Sequence, residues 1–296
     1  MKSKYLPKIL VIVGPTASGK SDLGIFLGQK FNGEIISADS RQVYRGMDIG
    51  TGKVSKEEQQ LIKHHLLDIA NPKKVFSVSD FKKLGSKAID KILKLNKTPI
   101  IVGGTGFYID TLIYDLDLPK VSPNKKLRAK LEKQTAKKLF TILQKKDPNR
   151  AKNIDKHNKR RLIRALEIIE ATGKIIPKLH KKNRYNVLWL GLNPKNLEKK
   201  VKLRLDRRLK QGMIKEVKNL FNSGVSRKRL YDFGLEYRWV GEYLAGKIGY
   251  DVMKEGLYGA IVKYSKRQMT WFKRNKDIHW VKNRKEAERL IRRFLL

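Results

Sequence analysis

Cysteine is absent from the 296-residue chain. That excludes disulfides and thiolate-bound metal, and it agrees with a reducing, cytoplasmic setting. Acidic side chains are scarce: 28 Asp and Glu stand against 68 Lys and Arg, a formal net charge of +40. Such a surplus exceeds what solubility requires and points to a polyanionic partner. A Lys-rich surface with no partner would spread its charge evenly. Here residues 1–120 carry 19 basic and 12 acidic side chains, whereas residues 121–296 carry 49 and 16. Long apolar runs are missing too. The run ILVIVG (9–14) is far shorter than the roughly 20 residues a membrane helix needs. It leads straight into a glycine-rich loop, so the basic and apolar start does not read as a signal peptide. No membrane partner is expected.

What the sequence does contain is a phosphate cradle. In VIVGPTASGKSDLG (11–24), Gly14 is followed by four residues and then Gly19-Lys20-Ser21. Glycines there let backbone N–H groups turn toward an anion at a helix N-terminus. The lysine adds a point charge, and the serine adds a hydroxyl suited to Mg²⁺. The context fits: an all-apolar strand precedes (8–14) and a helix follows (20–30).

Further strands are expected at 33–39, 98–106, 185–194 and 278–281, with a helix over 77–97 capped by Ser77 or Ser79. Strands alternating with helices predict a parallel α/β sheet of the P-loop NTPase-like kind, with helices on both faces. Residues 119–185 read instead as a basic, all-helical insertion, which leaves 1–118 and 186–296 as the catalytic core. Helices are also expected from Asn196 onward, broken near Gly212, and through the C-terminal third.

A nucleotide-hydrolysing P-loop protein wants a carboxylate at the end of a neighbouring strand. The strand at 98–102 ends in GGTG and has none. The strand at 33–39 ends in Asp39. Ligands of open α/β sheets bind beyond the strand C-termini, so Asp39 and Thr105 are both expected above the phosphate loop. Taken alone, Asp39 is equally a turn cap and Thr105 an ordinary residue of a glycine turn. His64 and His65 are adjacent and have no third ligand nearby, so a structural role is favoured over metal binding. The four tryptophans read as packing residues.

GPTASGKS, ISADSRQVYRGMDIGTGK, HHLLDI, FSVSDF, IIVGGTGFYI, RRLIRALEI, GLEYR and KRQMTWFKR follow one another at spacings that resemble the tRNA dimethylallyltransferase family over nearly the whole chain. That resemblance implies a P-loop holding the diphosphate of dimethylallyl diphosphate, with the prenyl group passing to the adenosine just 3′ of the anticodon. Gly14, Pro15, Thr16, Ala17, Ser18, Gly19, Lys20 and Ser21 would bind the diphosphate, with Mg²⁺ at Ser21. Asp39 would be the general base, with Thr105 and Lys20 as catalytic partners. Asp39, Ser40, Arg41, Gln42 and Thr105 would meet the tRNA anticodon stem-loop. So would Arg128 and the run Arg160, Arg161, Leu162, Ile163, Arg164 in the insertion, on a helix that buries Leu162, Ala165 and Leu166 only partly. A monomer is expected, with no requirement for ATP. Two departures stand out: AIVK (260–263) replaces a Thr-Arg-Gln-like stretch, and GLEYR (234–238) replaces a shorter GYR. The alternatives are an adenylate prenyltransferase, disfavoured by the basic later region, and an RNA-stimulated NTPase or passive RNA-binding module.

Overall fold

A computed structural model describes residues 6–177 and 181–296. The chain divides into two compact units. One comprises the chain up to Asp115 together with Lys182–Leu296, and the other is Leu116–Lys181.

The larger unit is built on six parallel strands in the order β3-β2-β4-β1-β5-β6. The first half runs β1 (Lys8–Val13), α1 (Lys20–Lys30), β2 (Gly33–Ser37), α2 (Lys56–Leu61), β3 (His64–His65), α3 (Val78–Lys94), β4 (Thr98–Gly103) and α4 (Gly106–Ile113). The period-2 alternation of a strand divides β1 between two cores. Ile9, Val11 and Val13 join Phe81, Ile89 and Ile92 of α3 on one face. Leu10 and Ile12 join Leu23 and Leu27 of α1 on the other. Both faces are therefore covered, and this is why the strand shows no polar position after Lys8. Helix α3 starts where a capping box fixes it. The Ser77 side chain accepts from Asp80 N–H, and the Asp80 carboxylate accepts from Ser77 N–H.

The second half adds β5 (Asn186–Gly191) beside β1, then α9 (Leu197–Lys210), α10 (Met213–Asn222), α11 (Arg227–Phe233), α12 (Leu235–Leu244), α13 (Tyr250–Phe272), β6 (Ile278–Trp280) and α14 (Arg284–Leu295). Helices α9 to α13 enclose a third core around Leu205, Val217, Phe233, Tyr237 and Leu257, which also takes in Val43 and Met47 from the segment after β2. Gly212, at φ 97°, separates α9 from α10, so the break read from the sequence is a left-handed turn that favours glycine.

The smaller unit holds α5 (Lys125–Glu132), α6 (Ala136–Lys146), α7 (Pro148–Lys152) and α8 (Lys159–Thr172). Leu131, Leu139, Leu143, Leu162, Ile163 and Leu166 form its core. Two expectations need correction here. Leu162, Ala165 and Leu166 are not partly buried but enclosed, at 0%, 3% and 5% exposure. Leu162 and Ile163, expected at an RNA surface, spend their side chains on this core. Between exposed Arg161 and half-buried Arg164, the 3.6-residue period turns these two positions inward.

Within the larger unit, the two stretches that flank the smaller one in sequence meet: Lys182 N–H donates to the Tyr114 carbonyl at 2.8 Å. No described helix is long and apolar enough to cross a membrane.

Candidate active site

The P-loop passes from β1 into α1 above the C-terminal edge of the sheet. Ala17, a residue with a Cβ, is held at φ 60°, and Gly19 caps α1 at φ 85°. Left-handed backbone at a non-glycine position is strained and persists where the surroundings impose it. Gly14 and Pro15 lie buried beneath the loop. Thr16, Ala17, Ser18, Gly19, Lys20 and Ser21 face a cavity of about 490 Å³. Thr16 N–H donates to Gln268 Oε1 at 2.9 Å, and Gln268 Nε2 donates to the Gly104 carbonyl at 2.8 Å. One amide from α13 thus ties the phosphate loop to the second glycine turn. Ser18 Oγ is buried with no hydrogen-bond partner, a donor left open toward the loop.

Asp39 lines the same cavity. Its Oδ1 accepts from Arg41 N–H at 2.8 Å and from Gln42 N–H at 3.3 Å, so the turn-capping role exists beside any chemical one. Thr105 lies alongside: its Oγ1 accepts from Ser40 N–H at 3.2 Å, and its side chain bonds the Tyr264 hydroxyl. Gly103 makes this approach possible, because a Cβ there would lie 2.2 Å from the Ala38 carbonyl oxygen. Burial, reinforced by the Asp39 charge, pushes Tyr264 up to about 12.

The other residues expected at RNA have partners of their own. Arg41 Nε donates to the Phe233 carbonyl at 2.8 Å, and its guanidinium lies over the Phe233 ring. Gln42 accepts from Ser37 Oγ and donates to the Gly52 carbonyl. In the smaller unit, Arg128 and Arg164 converge on Glu167, whose side chain is fully buried. Arg128 is bidentate, at 2.8 Å through both Nε and Nη2, and Arg164 Nη1 sits at 2.5 Å. Arg160 and Arg161 are exposed on α8.

Several cavity residues escaped the sequence reading. Lys200, Arg204 and Arg207 project from one side of α9, at the i, i+4, i+7 spacing that was visible in KKVKLRLDRRLK. Among so many basic residues that spacing does not stand out. Arg204 Nη2 donates to the Gly52 carbonyl at 3.3 Å. Arg208 is 7% exposed and donates to the Gly50 carbonyl and to Glu236 Oε1, both at 3.2 Å. Burial pushes Glu236 up, with Arg208 opposing it. Glu236 comes from the GLEYR departure, which therefore supplies an anion to a cationic wall. Lys263, from the AIVK departure, is exposed and does not line the cavity.

This crowding is felt by the loop lysine. Burial first, and Arg204 next, push Lys20 below its ordinary 10.5 to about 8. Burial, then Arg208, push Arg204 down to about 10. Cations held this close are complementary to a polyanion. His65 and His64 serve structure instead: His65 Nε2 pairs with Glu34 at 2.7 Å, and His64 Nδ1 bonds the Ile62 carbonyl. Among the described residues there is no cluster of three or more His, Asp or Glu able to hold a metal.

The profile of the IPP transferase family matches residues 42–275. The tRNA dimethylallyltransferase of Alkaliphilus oremlandii (strain OhILAs) is 41% identical over 283 residues, covering 92% of this chain and 90% of its own. That of Alkaliphilus metalliredigens (strain QYMF) is 42% identical over 283 residues, covering 92% and 91%. Among solved structures, the full-length tRNA isopentenylpyrophosphate transferase from Bacillus halodurans superposes with a TM-score of 0.73 at 35% identity, covering 97% of this chain and 95% of that one. A eukaryotic dimethylallyltransferase captured acting on tRNA gives 0.77 at 29% identity, covering 93% and 73%.

Proposed function

The chain belongs to the IPP transferase family, and on that premise we propose that it transfers a dimethylallyl group from dimethylallyl diphosphate to the exocyclic N6 amine of the adenosine 3′ of the anticodon in tRNA. The observation that carries this reading is the juxtaposition in one cavity of a P-loop, an arginine-bearing helix and Asp39.

The amine is a weak nucleophile because its lone pair is delocalised into the ring. As the N6–C1 bond forms, the C1–O bond breaks, the diphosphate leaves with the electron pair, and Asp39 accepts the N6 proton. Of the hydrogen bonds to its carboxylate described above, both fall on Oδ1, and Oδ2 is the oxygen suited to that proton. Thr105 fixes the Asp39-Ser40 backbone through the Ser40 N–H and so sets the direction of the carboxylate. Lys20, Arg204 and the loop N–H groups oppose charge growing on the leaving group, where low local dielectric makes each contact count. The target base has to leave its stack to reach this cavity.

Mg²⁺ favours a site built from few protein oxygens together with substrate phosphates and water. The Ser21 hydroxyl in a diphosphate-sized cavity fits that donor set. Ser21 would hold the ion, which when bound supplies further charge neutralisation for the leaving diphosphate. The exposed basic face of the insertion, including Arg160 and Arg161, suits the phosphates of an anticodon stem. The protein acts as a monomer and in the cytoplasm in this reading.

Purified protein given labelled dimethylallyl diphosphate, with tRNA, AMP or no acceptor, tests the assignment. Label is expected in tRNA alone, without ATP, and Lys20→Ala should both weaken donor binding and slow transfer. Label on AMP, or RNA-stimulated ATP hydrolysis, would replace it with one of the alternative functions.

A further inference from the structure

The residues of GMDIGTGK after Tyr44 touch the cavity only at Thr51 and Gly52, yet they are held by an unusual number of bonds. Glu216, on α10, accepts three of them. Its Oε2 accepts from Asp48 N–H at 2.9 Å and Ile49 N–H at 2.6 Å, and its Oε1 accepts from Gly50 N–H at 3.0 Å. The buried Tyr237 hydroxyl donates to the same Oε1 at 2.9 Å. Four donors around one carboxylate are far more than a surface glutamate collects, and hydrogen bonds to a charged group are the strong ones.

The loop has two sides. Its N–H groups from 48 to 50 point to Glu216, while its carbonyls point to the arginines of α9. Gly50 C=O takes Arg208, and Gly52 C=O takes Arg204. Internal bonds make the segment one rigid turn: Gly52 N–H to the Ile49 carbonyl, Lys53 N–H to the Asp48 carbonyl, and Thr51 Oγ1 to the Met47 carbonyl. A side chain at Gly50 or Gly52 would displace the groups that hold the turn. A Cβ on Gly50 would lie 2.8 Å from the Tyr237 hydroxyl. One on Gly52, itself at φ +59°, would lie 1.8 Å from Arg208 Nη2 and 2.5 Å from Arg204 Nη2. The turn thus fills the space between a carboxylate and two guanidiniums.

We propose that Glu216 is a positioning residue for the prenyl diphosphate site, acting through the 48–52 turn to aim Arg204 into the cavity. The physical need is clear. Arg204, Arg207, Arg208 and Lys20 repel one another and would turn outward to water unless held. The Gly50 and Gly52 carbonyls hold two of them, and Glu216 holds those carbonyls in place. A guanidinium aimed before the ligand arrives loses less freedom on binding, so the effect falls on donor affinity. This inference rests on the reading of the cavity as the site of dimethylallyl diphosphate.

The test compares Glu216→Ala and the isosteric Glu216→Gln with the native protein. Glu216→Gln keeps one acceptor oxygen and gives the readout should the alanine variant not fold. Loss of a charged acceptor predicts a KM for dimethylallyl diphosphate raised about tenfold in Glu216→Ala and less in Glu216→Gln, with the KM for tRNA little changed. In an Arg204→Ala background the Glu216→Gln effect on donor KM should vanish, because both changes remove the same interaction. A merely structural role would lower the melting temperature while leaving donor KM native, or would add to Arg204→Ala in full, and either result overturns the proposal. Native protein that shows no saturable binding of dimethylallyl diphosphate would remove the reading of the site itself, and this inference with it. Native binding that both variants match would remove the inference alone.

Discussion

Removing the negative charge of Glu167 should unfasten the smaller unit, and the size of the effect follows from its surroundings. Its carboxylate accepts from Asn124 N–H at 2.7 Å, from Arg128 twice and from Arg164. Although burial alone would raise its pKa, the Arg128 and Arg164 hydrogen bonds overcome that and hold it down, from 4.5 to about 2. A depression of that size corresponds to roughly 3 kcal/mol. The carboxylate is covered chiefly by the arginines themselves, which are 41% and 37% exposed. Solvent screening of those partners brings the contribution to about 2 kcal/mol. The folded-state pKa is the lower one, so this stability is fully present above about 4.5 and disappears as pH falls through about 2. Glu167→Gln should therefore be less stable than the native protein by about 2 kcal/mol at pH 7. The gap should narrow below pH 4.5 and close near pH 2, where both carry a neutral side chain. Hydrogen exchange of the 116–181 amides against pH reads the unit directly, and thermal melts give the global effect. A gap below about 0.5 kcal/mol at pH 7, or one that is constant from pH 7 to 3, would refute the role given to Glu167.

Asp39→Ala should slow prenyl transfer on the order of 100-fold under single-turnover conditions while tRNA affinity stays near native, since a base acts on the moving proton and not on the docked stem. Native turnover in that variant would remove Asp39 from the mechanism. Replacing Arg160 and Arg161 together by alanine should raise the KM for tRNA and flatten the log–log salt dependence of binding by about one unit per lost phosphate contact. An unchanged salt slope would move the tRNA surface elsewhere.

What the sequence made legible was whatever is local. The phosphate loop is set by glycines at fixed spacing, so α1 begins at Lys20 as expected. The Ser77–Asp80 cap and the Gly212 break are likewise short-range. Of the elements missed, which include the short α2, two escaped for opposite reasons. Strand β3 is only His64–His65, too short to show a period. Helix α4 buries six of its eight residues, so it has no polar face to reveal it. The inward turn of the Leu162 and Ile163 side chains was hidden because the resemblance treated RRLIR as one block, whereas helical periodicity sends them to the core between Arg161 and Arg164. The hardest to read was the wall of Arg204, Arg207 and Arg208. In a chain of 68 basic residues, these three carry no distinguishing signal until the fold brings them near Lys20. Glu216 is invisible for a related reason: its partners are backbone N–H groups, which every residue has.

The backbone bond between Lys182 and Tyr114 bears on the order in which the chain folds. Strand β1 pairs with β4 on one side and β5 on the other, but β4 ends at Gly103 and β5 begins only at Asn186. A flexible connection of about 80 residues makes that second pairing slow. The smaller unit has a core of its own, made mostly of short-range helical contacts, and the stretches of the larger unit that flank it in sequence are joined at that bond. Once the unit has folded and that bond is made, the connection behaves as one of about 15 residues, lowering the entropic cost of closure by roughly 1.5 kcal/mol. The insertion is then a folding clamp for the sheet that carries it. On a ribosome, the edge of β1 that awaits β5 stays bare until β5 has emerged, and for that interval it is an unpaired strand edge open to aggregation.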